Sequence, residues 1–406
     1  MIDYDVIIVG GGASGFFTAI NMAEQNAALK ILILEKNKEV LSKVKISGGG
    51  RCNVTHACFV PGVLVKYYPR GERELRGPFH AFSTGDMMEW LEKKGVELKI
   101  EDDGRVFPVS DNSQTIINCF LREAESLGVE IKTSCGVKSI EKIDNQWLVE
   151  TSERELKTNN LVVASGSSPQ IWKMMKAVGY TIVPPVPSLF TFNIPDKKLH
   201  QLMGNSVSPV VLKIKNSKLT AEGALLITHW GLSGPAILRL SAWGARELAT
   251  CDYRFTLQVN WLNGNHFDEV LIVLQTFKNQ HPKKAIGTKS PFDFTQRVWK
   301  YLVESAEINP EKIWTEIAKK QLVNLTNQLI QTEYEVNGKS TFKDEFVTAG
   351  GIDLKEVNFK TMESKLHNNL YFTGEILNID AITGGFNFQN AWTTGFLAAQ
   401  AIAEKR

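Results

Sequence analysis

Asp5 to Gly15 reads DVIIVGGGASG, and this stretch decides the fold of the N-terminal part of the chain. Val6 to Val9 is a short, wholly apolar run of the kind that forms a strand buried on both faces, and Gly10, Gly12 and Gly15 follow it as GxGxxG. Ala13 to Gln25 has helical spacing, and Lys30 to Glu35 (KILILE) is a second strand whose terminal carboxylate lies 20 residues beyond Gly15. In such a unit the first glycine permits a tight reversal. The second lets the backbone approach a pyrophosphate, and the third lets helix and strand pack closely. The pyrophosphate rests on the positive end of the helix while the acid accepts from an adenosine ribose. The pattern implies a bound dinucleotide and leaves NAD and FAD equally open.

Composition narrows the class. A chain of 406 residues exceeds one ordinary core and predicts two or three domains. Lys plus Arg number 46 against 44 Asp plus Glu, which makes no electrostatic case for nucleic acid or an anionic membrane. Apolar runs break well before the roughly 18 residues a membrane span needs, and the first strand starts too early for a signal peptide, so a cytoplasmic protein is expected. The cysteines, Cys52, Cys58, Cys119, Cys135 and Cys251, include no CxxC pair and no zinc spacing. No metal, disulfide framework or dithiol redox centre is expected from them.

Ser47 to Asn53 (SGGGRCN) is the second informative stretch. Three successive glycines can fold around an anionic or planar group, and Arg51 can fork onto phosphate or carboxylate oxygens; a solvated basic loop with Lys43 and Lys45 is the plainer alternative. Further on, Ser113 to Leu127 reads as a helix and Val129 to Thr133 as a strand. A three-stranded meander follows and returns the chain to Leu161–Ala164, closing at Ser165 and Gly166. This order favours FAD, because no second GxGxxG with its own strand and acid appears downstream. Near the end, Asn369 to Thr373 is a strand followed by Gly374 and Glu375, and Ile382 to Asn390 (ITGGFNFQN) leads into a helix from about Ala391 to Ala403. A glycine–acid pair there suits ribityl hydroxyls, and the glycine turn would present helix amides to a flavin's pyrimidine edge.

Taken together, several segments resemble the BaiN-type (YhiN-like) bacterial flavoproteins of the glutathione-reductase-like FAD superfamily, some of which carry the labels NAD(P)/FAD-dependent oxidoreductase or aminoacetone-oxidase-like. They are SGGGRCNVTH after GGGASG, GRVFPVS at Gly104–Ser110, HWGLSGPAILRLS at His229–Ser241, TAGGI at Thr348–Ile352, TMESK at Thr361–Lys365 and GEILNIDAITGGFNFQNAWTTG at Gly374–Gly395. The resemblance implies an α/β fold with a split Rossmann-like FAD-binding domain (1–188 and 345–406), an inserted β-barrel-like domain (189–265 and 331–344) and a helical subdomain (266–330). It also implies a set of cofactor-binding residues: Gly10, Gly12, Ala13, Ser14 and Gly15 at the pyrophosphate, Glu35 and Lys36 at the ribose, and Val137 at the adenine. Lys43, Gly49, Gly50, Arg51, Cys52 and Asn53 would line the pyrophosphate and flavin side, with Ala164 and Gly166 closing over the cofactor. Gly374 and Glu375 would reach the ribityl chain, and Gly385, Phe386 and Asn387 the isoalloxazine. The family pattern has Asp and Gly where this chain has Asn378 and Ala381, which leaves the charge beside the flavin open.

Catalytic groups are not legible, since hydride transfer to or from a flavin needs no protein acid in the transfer itself. His56, His229 and Cys52 are candidates for proton transfer, with structural roles as the plainer reading of His229 and Cys52. The expected activity is oxidoreduction of a small organic substrate, such as an unsaturated carbonyl compound, with NADH or NADPH as electron donor. The alternatives are an FAD-dependent oxidase, a flavoprotein that binds or modifies a macromolecule such as transfer RNA, and a structural FAD beside a partner-binding module. No nucleic acid partner is expected, because Lys283, Lys284 and Lys289 lack interleaved aromatics, and no membrane partner, because the net charge is near zero and the apolar runs are short.

Overall fold

A computed structural model of the chain describes residues 2–340 and 347–405. The chain divides into two compact units, Met1–Pro187 with Phe342–Arg406, and Ser188–Thr341. The boundary expected at 344/345 lies outside the described residues.

The first unit is built on a parallel sheet. Its first strand, Tyr4–Val9, lies between Ile31–Leu34 and Glu155–Val163, with Glu130–Lys132 beyond the former and Leu370–Phe372 beyond the latter. Val6, Ile7 and Ile8 are wholly buried, as a strand covered on both faces requires. The chain leaves the first strand toward one edge and returns on the other side, so the strand order reverses beside Tyr4–Val9. That switch point is where open α/β sheets bind ligands, outside the carboxyl ends of the strands.

The meander departs from expectation in one respect. Its third strand and the central strand are a single nine-residue element, Glu155–Val163, whose first half pairs antiparallel with Gln146–Thr151 while its second half runs parallel to Tyr4–Val9. The first helix, Ala13–Gln25, packs on the C-terminal helix, Phe386–Ala403. Gly395 makes their close approach possible: a Cβ there would lie 2.9 Å from Thr18 Oγ1 and 3.2 Å from the Ser14 carbonyl oxygen. Phe17, Phe120 and Trp392 bind these helices to Ser113–Ser126, with Phe120 stacked on Trp392 at 5.5 Å. No helix among the described residues is long and apolar enough to cross a membrane.

The second unit is an antiparallel sheet ordered Thr332–Asn337, Arg254–Asn260, Ser206–Ile214, Thr220–Ile227, Gly231–Ser233, Thr191–Asn193 and Lys339–Ser340. The two end strands are separated only by Gly338, whose amide donates to the Tyr253 carbonyl while its own carbonyl accepts from Asn193. The sheet therefore closes through one kinked segment, which gives the barrel-like form the resemblance implies. Helices Phe267–Gln280, Gln296–Ser305 and Lys319–Ile330 share one apolar core with it, including the buried Trp261, Trp299 and Trp314. Trp314–Glu316 forms a separate 3-10 turn, and the last of these helices starts after Ala318, whose amide donates to Gln321.

Candidate functional site

One row of residues across the parallel sheet assembles the site. Leu34, Val9, Val163 and Phe372 are register partners, so the residues that follow them, Glu35, Gly10, Ala164 and Thr373, emerge side by side at the carboxyl ends of four adjacent strands. The Ala164 amide donates to the Val9 carbonyl and the Thr373 amide to that of Val163, which continues the ladder one residue past the strands. Gly10 has φ +117°, and a Cβ on it would lie 2.5 Å from the Ala164 carbonyl oxygen. A Cβ on Gly15 would lie 2.0 Å from the Gly10 carbonyl oxygen, so the helix can dock on the strand only with glycine there.

Gly12 is different. A Cβ on it would meet nothing within 4 Å, and it precedes a helix whose N-terminus carries no side-chain cap. The Ser14 hydroxyl beside it is buried without a hydrogen-bond partner, as are those of Thr373 on the row and of Ser165, which follows Ala164. Three desolvated hydroxyls without partners around an open, uncapped helix end fit a bound phosphate group, which supplies the missing acceptors.

At the edge of that row Glu35 is held by backbone: its carboxylate accepts from the Gly11 and Asn37 amides, both at 2.9 Å. The Cys135 amide donates to the Glu35 carbonyl, and a Cβ on Gly136 would lie 3.6 Å from that of Lys36. Glu35 and Lys36 therefore lie against Cys135 and Gly136, the residues that lead into Val137. On the other side Lys43 pairs with Glu375, and both lie beside Gly166, about 4 Å from where its Cβ would be. The Gly374 amide donates to Thr394 Oγ1 on the C-terminal helix at 2.9 Å.

The SGGGRCN segment behaves in two ways. Gly48, Gly49 and Gly50 all take positive φ, and added Cβ atoms at Gly49 and Gly50 meet nothing within 4 Å, leaving an open backbone surface. The Arg51 guanidinium, however, is engaged by Glu101 at 2.6 Å and Asp111 at 3.3 Å and lies 3.9 Å over the Phe107 ring. Cys52 is wholly buried, and burial pushes its thiol up to about 12, so it carries no thiolate. Asn53, with its amide oriented to satisfy its neighbours, accepts from Gly385 and donates to the Thr55 and Val106 carbonyls, tying this segment to the C-terminal glycine turn.

That turn opens the C-terminal helix, which starts at Phe386, five residues before the expected Ala391. Phe386 lies under two near-parallel rings, Tyr67 at 4.3 Å and His56 at 4.6 Å. Both polar atoms of the Asn387 amide bond the backbone of Ala381, which shapes the preceding loop. Asn378, one of the two departures from the family pattern, donates its amide to the Ile352 carbonyl. The charge beside the turn comes instead from Asp380, which is wholly buried and paired with Arg70. Sequence reasoning did not single out Arg70, Tyr67, Tyr68 or Asp380. An acid inside the apolar run Ile376–Ile382 is the one signal that could have prompted a search for a buried cation.

Among the histidines, His229 is exposed in the second unit, against Trp230 at 4.2 Å. His56 lies at the glycine turn, its Cδ2 3.6 Å from a Cβ built on Gly384, with Nε2 against the Asp103 carbonyl at 3.1 Å and Nδ1 buried without a partner. Burial holds the imidazole below its ordinary value of 6.5, opposed by the Asp103 carbonyl. A depressed histidine value means that the unfolded chain takes the proton first, so stability is lost as pH falls below that ordinary value. Thermal midpoints taken from about pH 7.5 to about pH 5.5 should therefore fall more steeply for the wild type than for His56→Gln.

Comparison with known proteins agrees with this architecture. The family described as HI0933-like protein Rossmann domain matches residues 4–401. The ribosomal RNA dihydrouridine synthase of Haemophilus influenzae is 26% identical over 414 aligned residues, 98% of each chain. The 3-dehydro-bile acid delta(4,6)-reductase of Clostridium scindens is 25% identical, again over 98% of each chain. Among solved structures, the 3-ketosteroid-delta4-(5alpha)-dehydrogenase of Rhodococcus jostii superposes with a TM-score of 0.54 over 100% of this chain and 98% of its own, at 12% identity, a likeness of fold. With its strand-end glycine row in place and its match running almost from end to end, the chain belongs to the HI0933-like Rossmann family.

Proposed function

We propose that the protein is an FAD-dependent reductase of carbon–carbon double bonds conjugated to a carbonyl, itself reduced by NADH or NADPH. The observation that carries this reading is the row Glu35, Gly10, Ala164 and Thr373, with the unpartnered hydroxyls of Ser14, Ser165 and Thr373 around the open Gly12. Gly12 and Ser14 would hold the pyrophosphate, Glu35 the adenosine ribose, and Glu375, steadied by Lys43, the ribityl hydroxyls. The N-terminus of Phe386–Ala403 would face the pyrimidine edge, where its positive end favours negative charge. When bound, FAD supplies a two-electron donor and acceptor.

The substrate class is supported by the chemistry common to the two named relatives. Forming dihydrouridine saturates a double bond conjugated to the uracil carbonyl, and a delta(4,6)-reductase of a 3-dehydro-bile acid saturates bonds conjugated to the ring ketone. Either reduction would place a hydride on the carbon of the double bond remote from the carbonyl, the β-carbon of a simple enone or the δ-carbon of a dienone, and a proton on the adjacent carbon nearer the carbonyl. Groups at the glycine turn that burial keeps from exchanging protons, Cys52 and Tyr68, serve packing: the Tyr68 hydroxyl donates to the Phe386 carbonyl at 2.6 Å, and burial pushes its value well up.

A second reading, in which the acceptor is a uridine within RNA, is favoured by the distribution of charge. Residues 188–341 carry 18 Lys and Arg against 13 Asp and Glu, whereas the remainder carries 28 against 31, so the near-neutral total conceals a basic inserted unit. The test is anaerobic reduction of the bound flavin with NADPH and NADH, followed by mixing with a 3-keto-Δ4,6 steroid or a uridine-containing ribosomal RNA fragment. Bleaching by a nicotinamide and reoxidation by one of these acceptors, with one bond saturated per flavin, is the expected result. Reoxidation by oxygen alone would make the protein an oxidase.

A further inference from the structure

The loop from Asn378 to Phe386, which carries the glycine turn, is gripped by Tyr67, Tyr68, Arg70 and Gly71 from a distant part of the chain. The Tyr67 carbonyl accepts from the Ile382 amide at 3.0 Å, and the Tyr67 ring stacks on Phe386. The Tyr68 hydroxyl donates to the Phe386 carbonyl. Arg70 binds Asp380 through two parallel hydrogen bonds, Nε to Oδ1 and Nη2 to Oδ2, and the two residues also form an isolated antiparallel bridge. Gly71, with φ +94°, approaches Ile379 so closely that a Cβ would lie 2.8 Å from Ile379 Cγ1.

Asp380 has no exposed surface, and the Arg70 side chain is only 13% exposed. Packing alone does not ask for such a pair, because apolar residues of the same volume commonly stabilise a core as well or better. What a guanidinium–carboxylate fork adds is direction: it fixes the distance and the plane in which two backbones meet. Here it fixes the loop four residues before Gly384, while the Tyr67 ring and the Tyr68 hydroxyl fix it at Phe386, the first residue after the glycines. Any shift of Asp380 therefore reaches Gly385 and Phe386.

We propose that residues 67–71 are a strap that preforms the isoalloxazine end of the flavin site, with Arg70 as its positioning residue acting through Asp380. The inference rests on the reading that FAD occupies the strand-end crevice. The strap holds the turn in its receiving shape in the apoprotein, so that breaking it speeds release of FAD and alters the environment in which the flavin is reduced.

The test compares FAD release, followed by recovery of free flavin fluorescence on dilution, and the flavin midpoint potential in the holoenzyme and in Arg70→Met, Asp380→Asn and Tyr68→Phe. Release should be at least about tenfold faster in the first two, with a displaced midpoint potential, and accelerated by a smaller factor in Tyr68→Phe, which loses one hydrogen bond and keeps its ring. Lys66→Met, which removes an exposed pair with Glu72 on the same segment, should leave both readouts unchanged. Folded variants with wild-type release rate and potential would overturn the strap. If the charge variants do not fold, an unaltered Tyr68→Phe overturns it. Wild-type protein that takes up no FAD would instead overturn the reading on which the inference rests.

Discussion

Gly12→Val should leave the apoprotein folded and remove its capacity to retain flavin, whereas Gly15→Val should prevent folding. The two glycines lie three residues apart in one motif and face opposite constraints. Gly12 has φ −92° and ψ −171°, an extended conformation open to any residue, and a side chain there meets nothing within 4 Å. A valine at this N-cap costs on the order of 1 kcal/mol in helix stability and projects into the space beside Ser14. The expected loss of FAD affinity is at least about a hundredfold, roughly 2.7 kcal/mol. At Gly15 the added carbon would be 2.0 Å from a backbone oxygen of Gly10, which no rotamer relieves. Separating the first helix from the first strand there would consume a large share of a stability of about 5–15 kcal/mol. Circular dichroism melts together with visible absorbance distinguish the two outcomes.

Gly385→Ala is expected to have the second largest effect. Its φ of +90° already disfavours a side chain by about 1–3 kcal/mol, and the new carbon would lie 2.5 Å from the Thr55 carbonyl oxygen. The turn must move, which takes the Gly385 amide from Asn53 and the Phe386 ring from Tyr67 and His56. Loss of about 3 kcal/mol or more, with little bound flavin, is the expected outcome in urea titrations. Gly49→Ala provides the comparison: its φ is also positive, at +69°, but an added carbon meets nothing within 4 Å. It should cost the apoprotein only the backbone strain, about 1 kcal/mol.

The N-terminal half of the site is legible in the sequence because each of its parts is local. An apolar strand, a glycine turn, a helix and a terminal acid all fall within 35 residues, and Glu35 is positioned by the amides of Asn37 and of Gly11 in the glycine turn of the same motif. The C-terminal half resists reading for two reasons. FNFQN has no apolar periodicity, since Phe386, Gln389 and Asn390 are all buried, and the helix therefore starts five residues before its apolar pattern becomes visible. The partners that matter there are also remote in the chain. Arg51 meets Glu101 and Asp111, and Asp380 meets Arg70 from 310 residues away, so a charge that local chemistry assigns to a ligand is satisfied within the protein. Net charge misleads in the same manner, because an average over 406 residues erases the contrast between the basic inserted unit and the acidic remainder.

The most direct test is the visible absorption spectrum of the purified protein after incubation with FAD and removal of excess, read against protein concentration. About one FAD for each chain, with the two-banded spectrum of protein-bound flavin, is the expected result, and Gly12→Val should show none while still melting cooperatively, below the flavin-free wild type only by its N-cap cost of about 1 kcal/mol. Folded wild-type protein that binds no flavin would contradict the assignment of the strand-end crevice as a dinucleotide site, together with the reductase function built on it.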